Sequence, residues 1–216
     1  MTGIWAAVPV KEFSQAKQRL SAMLSPAQRQ ALVAAMLEDV LAALATSPVA
    51  GIIVNTVDSR ATEIAHRFGA RVVTISARDG HSGAVGAIAK VLAAERGAGM
   101  LTCPGDIPGL RPEDIATLLA AHSAAPAFTI APAYDSRGSN GIILSPPTLL
   151  PLQFGDDSFL PHLDAARRCN VEPAVLRLPG FAHDIDNPAD VRAFLHAGLG
   201  EGTRSLKLLK EFSALG

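Results

Sequence analysis

A chain of 216 residues, 49% of them hydrophobic, can bury a sizeable core; this excludes a disordered protein and suits one α/β domain better than two. A formal net charge of −1 with no basic block excludes general nucleic-acid binding, because counterion release needs clustered Lys and Arg. No apolar run is long enough for a bilayer, no signal-peptide pattern is evident, and Cys103 and Cys169 are too far apart for a metal-type pair, so a soluble cytoplasmic protein with no membrane partner is expected.

Residues 4–8 read as a first buried strand, left through Pro9-Val10-Lys11. Residues 13–24 read as a polar loop. Ser25 is an expected N-cap and Pro26 a first helical residue, with Leu32, Met36, Val40 and Leu44 at helical spacing behind them. Residues 51–56 read as a second strand, and Asp58 or Ser59 caps a helix that Gly69 ends. A short third strand spans 71–75. Residues 79–86 read as a glycine-containing loop into an Ala-rich helix. A strand ending near Cys103 then meets Pro104-Gly105, and a helix follows from Pro112. Such alternation means parallel strands with right-handed helical crossovers.

After Pro126 the pattern changes. Residues 128–131 and 141–144 are strand-like around a polar loop at 134–140, a second loop spans 154–158, and a helix covers 159–169. A last strand is expected at 175–178, a helix from Asn187-Pro188 to about Ala197, and a helical tail. The expected fold is an α/β, Rossmann-like, mostly parallel sheet with an elaborated second half, the domain spanning 1–197 and the tail 198–216.

Asp106 stands just past the end of a strand in a rigid Pro-Gly loop, where open α/β sheets bind ligands. Asp184 and Asp186 follow another strand, and alternate residues of an extended segment face one side. Three such carboxylates suit a hard cation such as magnesium. The competing explanation is that Asp106 is a turn residue and that Asp186 and Asn187 only cap the helix at Pro188. Lys11, Lys17 and Arg19 follow the first strand, where cations meet nucleotide phosphates or simply face solvent. Ser139 and Asn140, and Gly155 with Ser158, can offer hydroxyls and backbone N–H groups to an anion. His162 and His183 adjoin these loops; His66 and His122 read as surface residues. No G-x-G-x-x-G, Walker P-loop or G-x-S-x-G occurs.

Taken in order, Val8-Pro9-Val10-Lys11, Ala16-Lys17, Arg19-Leu20, Leu24-Ser25-Pro26, Asp106-Ile107-Pro108, Gly138-Ser139-Asn140, Phe154-Gly155, Ser158-Phe159 with His162, and Asp184-Ile185-Asp186 with Pro188 resemble a known family. These are the guanylyltransferases of deazaflavin coenzyme F(420) biosynthesis, which act on 2-phospho-L-lactate, phosphoenolpyruvate or 3-phosphoglycerate. The resemblance implies a fold of the nucleotide-diphospho-sugar transferase type, GTP as donor and a small phosphorylated carboxylic acid as acceptor. It implies Mg2+ held by Asp106, Asp184 and Asp186, and an acceptor held by Ser139, Gly155 and Ser158. Where the family usually has a Gly-Leu-Asn stretch near the base, this chain has Gly83-Ala84-Val85-Gly86-Ala87. Val85 in place of Asn is therefore expected to loosen guanine selection.

The function expected is transfer of GMP from GTP to the acceptor's phosphate, with release of pyrophosphate. Lys11, Lys17 and Arg19 would neutralise the triphosphate beside Asp106. A cytidylyl- or molybdopterin-type transferase, a glycosyltransferase using Asp184-x-Asp186 and a non-catalytic nucleotide-binding protein remain alternatives. A homodimer is allowed but not required.

Overall fold

The computed structural model describes residues 3–75 and 80–214. In chain order the elements are β1 (Ile4–Pro9), α1 (Pro26–Ala45), β2 (Gly51–Asn55), α2 (Ser59–Arg67), β3 (Arg71–Val73), α3 (Gly80–Ala94), β4 (Gly99–Thr102) and α4 (Pro112–Ala120). These are followed by β5 (Ala127–Pro132), β6 (Ser139–Ser145), α5 (Phe159–Arg168), β7 (Ala174–Val175), α6 (Pro179–Ala182), α7 (Pro188–His196) and α8 (Arg204–Ala214). One seven-stranded sheet runs β3-β2-β1-β4-β6-β5-β7. The strands β3, β2, β1 and β4 are parallel, β6 is antiparallel to both neighbours, and β7 is parallel to β5. The chain builds outward from β1 to β3, then returns to the other side of β1 as β4. This reversal makes a crevice at the carboxyl ends of β1 and β4, where ligands bind in open α/β sheets.

Both faces of the sheet are covered. Ala6 and Val8 point to a core packed with α1, α2, α4, α7 and α8, while Ala7 between them points to a second core with α3 and α5. A capping box starts α1: Gln28 N–H donates to the Ser25 hydroxyl, and Ser25 N–H donates to the Gln28 side chain. The tail helix α8 docks on α1, where the Asp39 carboxylate accepts from the N–H groups of Arg204 and Ser205.

The structure departs from the sequence expectations in four places. Residues 13–24 contain two single 3-10 turns, Phe13–Gln15 and Gln18–Leu20, because Phe13 and Leu20 are drawn into the core. The expected glycine loop at 79–86 is already helix from Gly80, with Asp79 outside the described residues. Val85, Ile88, Ala89 and Leu92 recur at helical spacing and are buried, so packing overrides the cost of Gly83 and Gly86. The last strand has two residues, and a turn of helix, α6, follows it. His122 is not a free surface residue: its ring nitrogens lie 2.8 Å from Thr129 Oγ1 and 2.9 Å from Ser145 Oγ, bridging β5 and β6.

Candidate active site

A cavity of about 770 Å³ opens at the carboxyl ends of β1 and β4. Asp106 enters it from the loop after β4. The backbone of that loop is tied to the segment after α6, since Ile185 N–H donates to the Asp106 carbonyl at 3.1 Å. Ile185 is fully buried in the core, so its neighbours Asp184 and Asp186 are turned to the cavity. Capping of α7 falls to others: Asn187 accepts from Ala189 and Asp190 N–H, and Asp190 accepts from Asp186 and Asn187 N–H. The Asp186 carboxylate is thus left for other work.

That work is an ion pair. Lys17 stands between the two 3-10 turns in a left-handed conformation, φ 55° and ψ 38°. Its Nζ lies 2.6 Å from Asp106 Oδ2 and 2.7 Å from Asp186 Oδ1. Burial alone would lower the Lys17 pKa, but the two carboxylates outweigh it and hold the ammonium above its ordinary value. Burial likewise opposes ionisation of Asp186, and Lys17 reverses this, holding the carboxyl below the usual range. Asp184 has no such cation. Burial, reinforced by Asp106, pushes it up to about 6 against a 3.1 Å hydrogen bond from Asn140 Nδ2. Asp106 Oδ1 is buried with no hydrogen-bond partner. Among the described residues, no three His, Cys, Asp or Glu side chains stand close enough together to hold a metal ion as they are arranged. Lys11 and Arg19 are exposed at the cavity and make no ion pair among the described residues.

The opposite wall is built around two hydroxyls. Ser139 opens β6, and Ser158 immediately precedes α5, yet the Ser158 hydroxyl does not cap that helix. It lies 3.1 Å from Ser139 Oγ, which is 3.0 Å from His162 Nδ1. His162 Nε2 accepts the backbone N–H of Gln153 at 3.1 Å. Burial pushes the His162 pKa down to about 4, so the ring is neutral. Gly155 lines the cavity, and a Cβ there would meet nothing within 4 Å. The one cation of this wall, Arg137, is taken up by Asp157 at 2.6 Å, and the Arg137 carbonyl accepts from Phe159 N–H at the start of α5. His81 and Ser82, which sequence reasoning passed over, latch the loop. Ser82 Oγ accepts from Phe154 N–H at 2.9 Å, and the Phe154 ring meets His81 edge-on. Tyr134 stacks on His183 at 4.9 Å on the cavity's lining.

The model of the family "Guanylyl transferase CofC like" matches residues 4–214. The chain belongs to this family. It is 37% identical over 191 residues to a phosphoenolpyruvate guanylyltransferase of Rubrobacter xylanophilus, covering 87% of this chain and 91% of that one. It is 33% identical over 207 residues to a 2-phospho-L-lactate guanylyltransferase of Methanothermobacter thermautotrophicus, covering 95% and 89%. The fold matches a crystal structure from Desulfovibrio desulfuricans G20, described as a nucleotide-diphospho-sugar transferase, with a TM-score of 0.78 at 18% identity, over 100% of this chain and 97% of that one. No helix among the described residues is long and apolar enough to cross a membrane.

In this CofC-like chain Lys11, Lys17, Arg19, Asp106, Ser139, Gly155, Ser158, Asp184 and Asp186 all line the 770 Å³ cavity. Two sequence expectations need correction. Lys17 is spent on Asp106 and Asp186 rather than left free for an anion. Val85 lines neither cavity: it is 1% exposed in the core on the buried face of α3, so its side chain is not free to meet a base. Of that stretch, Ala84 is the residue that lines a cavity, a second one of about 350 Å³, with Asn55, Thr56, Ile75 and Gly80. The two cavities share Pro9, Val10, Lys11, Gln15 and His81. The Asn55 amide is occupied, accepting from Ile75 N–H and donating to the Ile75 and Ala84 carbonyls.

Proposed function

We propose that this protein moves GMP from GTP to the phosphate of a small phosphorylated carboxylic acid, releasing pyrophosphate, as a step of deazaflavin coenzyme biosynthesis. The acceptor class is phosphoenolpyruvate, 2-phospholactate or 3-phosphoglycerate. The observation that carries this is the larger cavity of a CofC-like chain, with carboxylates and cations on one wall and a hydroxyl pair on the other. The guanine lies in the smaller cavity beside Ala84, and the triphosphate runs past Lys11 and Arg19. The acceptor sits at Ser139, Gly155 and Ser158. Its phosphate oxygen attacks the α-phosphorus, and pyrophosphate leaves in line. A phosphate nucleophile is already ionised at neutral pH, so no general base is required. The chain's task is to position two anions and neutralise their repulsion.

The acidic wall fits magnesium. Its donors are hard oxygens, the buried Asp106 Oδ1 has no partner, and the Lys17 ammonium marks where positive charge is held between Asp106 and Asp186. Asp106, Asp184 and Asp186 would hold the ion, with substrate oxygens completing its shell. When bound, it polarises the α-phosphate and offsets charge on the departing pyrophosphate. The test is mass spectrometry of the products formed from GTP, magnesium and the three phospho-acids. A guanosine diphosphate-linked acid with equimolar pyrophosphate is expected. Equal use of CTP, ATP and UTP, or release of a nucleoside diphosphate instead of pyrophosphate, would overturn it.

A further inference from the structure

We propose that His162 is a positioning residue that turns the Ser139–Ser158 hydroxyl pair into an outward-facing hydrogen-bond donor, so that the subsite selects an anionic oxygen. This rests on the assignment of the acceptor to that wall. It adds a residue that does not itself line the cavity: His162 is 1% exposed, behind Ser139.

The protons on this chain of groups can be counted. A backbone N–H can only donate, and that of Gln153 points at His162 Nε2. Nε2 therefore carries no proton, and a neutral ring must carry its proton on Nδ1. Burial keeps the ring neutral, since the imidazolium would lose this bond and gain no counter-charge. Nδ1–H then donates to Ser139 Oγ, 3.0 Å away. The two serine hydroxyls hold two protons between them, and one closes their mutual bond at 3.1 Å. The other has no protein acceptor among the described residues, and both serines line the cavity. One O–H is thus left to point at whatever binds there. With the opposite tautomer, Ser139 would donate to Nδ1 and Ser158 to Ser139, and the same pair would present only lone pairs. An anionic oxygen would then meet a repulsive surface. The main-chain N–H of Gln153 sets the sign of the subsite through the ring.

A carboxylate or a phosphoryl oxygen is the group this donor suits. Neither serine can become charged here, and the nearby Arg137 is already paired with Asp157. Discrimination accordingly comes from the fixed direction of a neutral dipole, which is worth more in a buried, water-poor wall than in solvent.

Two measurements test this. The first needs no variant: the 15N spectrum of the histidine side chains in the wild-type protein at neutral pH. A protonated Nδ1 and a bare Nε2 for His162 are expected, and the reverse tautomer overturns the proposal. The second is kinetic, with GTP, magnesium and phosphoenolpyruvate or whichever of the three phospho-acids is turned over. His162→Leu should raise the acceptor KM by about tenfold, the worth of one hydrogen bond to a charged group, and leave the GTP KM unchanged. His162→Gln can keep both a donor and an acceptor and should recover much of that loss. In a Ser139→Ala background His162→Leu should cost nothing further, because its effect runs through Ser139. Equal losses in both backgrounds, or equal rises in both KM values, overturn the positioning role while leaving the subsite in place. Should Ser139→Ala itself leave the acceptor KM unmoved, the subsite assignment fails, and the proposal with it.

Discussion

The two walls of the cavity are built on different physics. The charged wall hangs on loops after the parallel strands β1 and β4 and before α7. Its carboxylates are part-exposed, 28% for the Asp106 side chain and 49% for that of Asp186, and they converge on one buried ammonium. The hydroxyl wall, neutral at its paired serines, is made by β6 and the start of α5, and that pair and the ring behind it are nearly sealed: Ser139 6% exposed, Ser158 5% and His162 1%. Coulomb attraction to a flexible Lys stem holds the first, and its partners can be exchanged when a stronger cation or an anionic ligand arrives. Hydrogen bonds of fixed direction inside a close-packed core hold the second, which is ready before any ligand enters. The proposed reaction between two anions would use both: charge that can redistribute around a triphosphate, and a rigid seat for the acceptor.

Asp106→Asn breaks the charged wall and gives the largest effect expected. It removes one charge from the Lys17 cluster and alters the one carboxylate among the described residues with a buried, unpartnered oxygen. Turnover should fall on the order of a hundredfold or more. Lys17 keeps Asp186, and the Ile185–Asp106 backbone bond is untouched, so circular dichroism should be unchanged. Near-wild-type turnover at saturating magnesium would remove Asp106 from the site.

The same contrast explains what the sequence could and could not reveal. Period and capping identify α1, with Ser25 before Pro26 and apolar residues every three or four positions; no tertiary information is needed for that. Asp106 was legible because it closely follows a strand, and Asp184 and Asp186, which follow the helical turn α6, because the ordered motifs resemble a family. The turn of Lys17 onto Asp106 and Asp186 was not. It joins residues 89 and 169 positions apart and depends on a left-handed backbone that a lysine does not advertise. The proton wiring of His162 was equally hidden, since it rests on one main-chain N–H, that of Gln153. Val85 was misplaced for a different reason. With Gly83 and Gly86 read as loop, the start of α3 was set too late, and without a helix phase there was no way to assign that residue to the core.

His162 sharpens the comparison through pH. Its pKa is about 4 in the folded protein, against an ordinary 6.5. Between those values the unfolded chain binds the proton and the folded one does not, so stability rises with pH. The contribution is complete above about pH 6.5 and is lost as pH falls towards 4, a change of roughly 3 kcal/mol by linkage. Urea midpoints of the wild type and His162→Gln, followed from pH 7 to pH 4, should converge as the pH drops. Parallel curves would mean that the ring is not held neutral.

Ser158→Ala tests the seat itself. The hydroxyl has no capping duty in α5, so its loss falls on Ser139 and the ligand. Acceptor binding should weaken by about 1.5–3 kcal/mol, the worth of a hydrogen bond to a charged group, with GTP hardly affected. Michaelis constants for both substrates decide it. A rise confined to GTP would exchange the two pockets.

The smallest effect probes whether the neutral wall gains from being neutral. Arg137 lines the cavity but is bound at both ends of its guanidinium by the Asp157 carboxylate, Nε to Oδ1 at 2.6 Å and Nη2 to Oδ2 at 3.1 Å. Both side chains are exposed, so neither fold nor helix depends on the pair. Asp157→Asn should release the guanidinium towards the acceptor without disturbing Ser139, Ser158 or His162. The acceptor KM should then fall, by no more than about fivefold, the range an exposed ion pair commands. Because the freed charge is in solvent, the gain should vanish as salt is raised towards 1 M, where screening acts within about 3 Å. The Ser158→Ala loss, set in a sealed wall, should persist at the same salt. An Asp157→Asn gain that survived high salt would place Arg137 in direct contact with the acceptor, and the seat could no longer be called neutral.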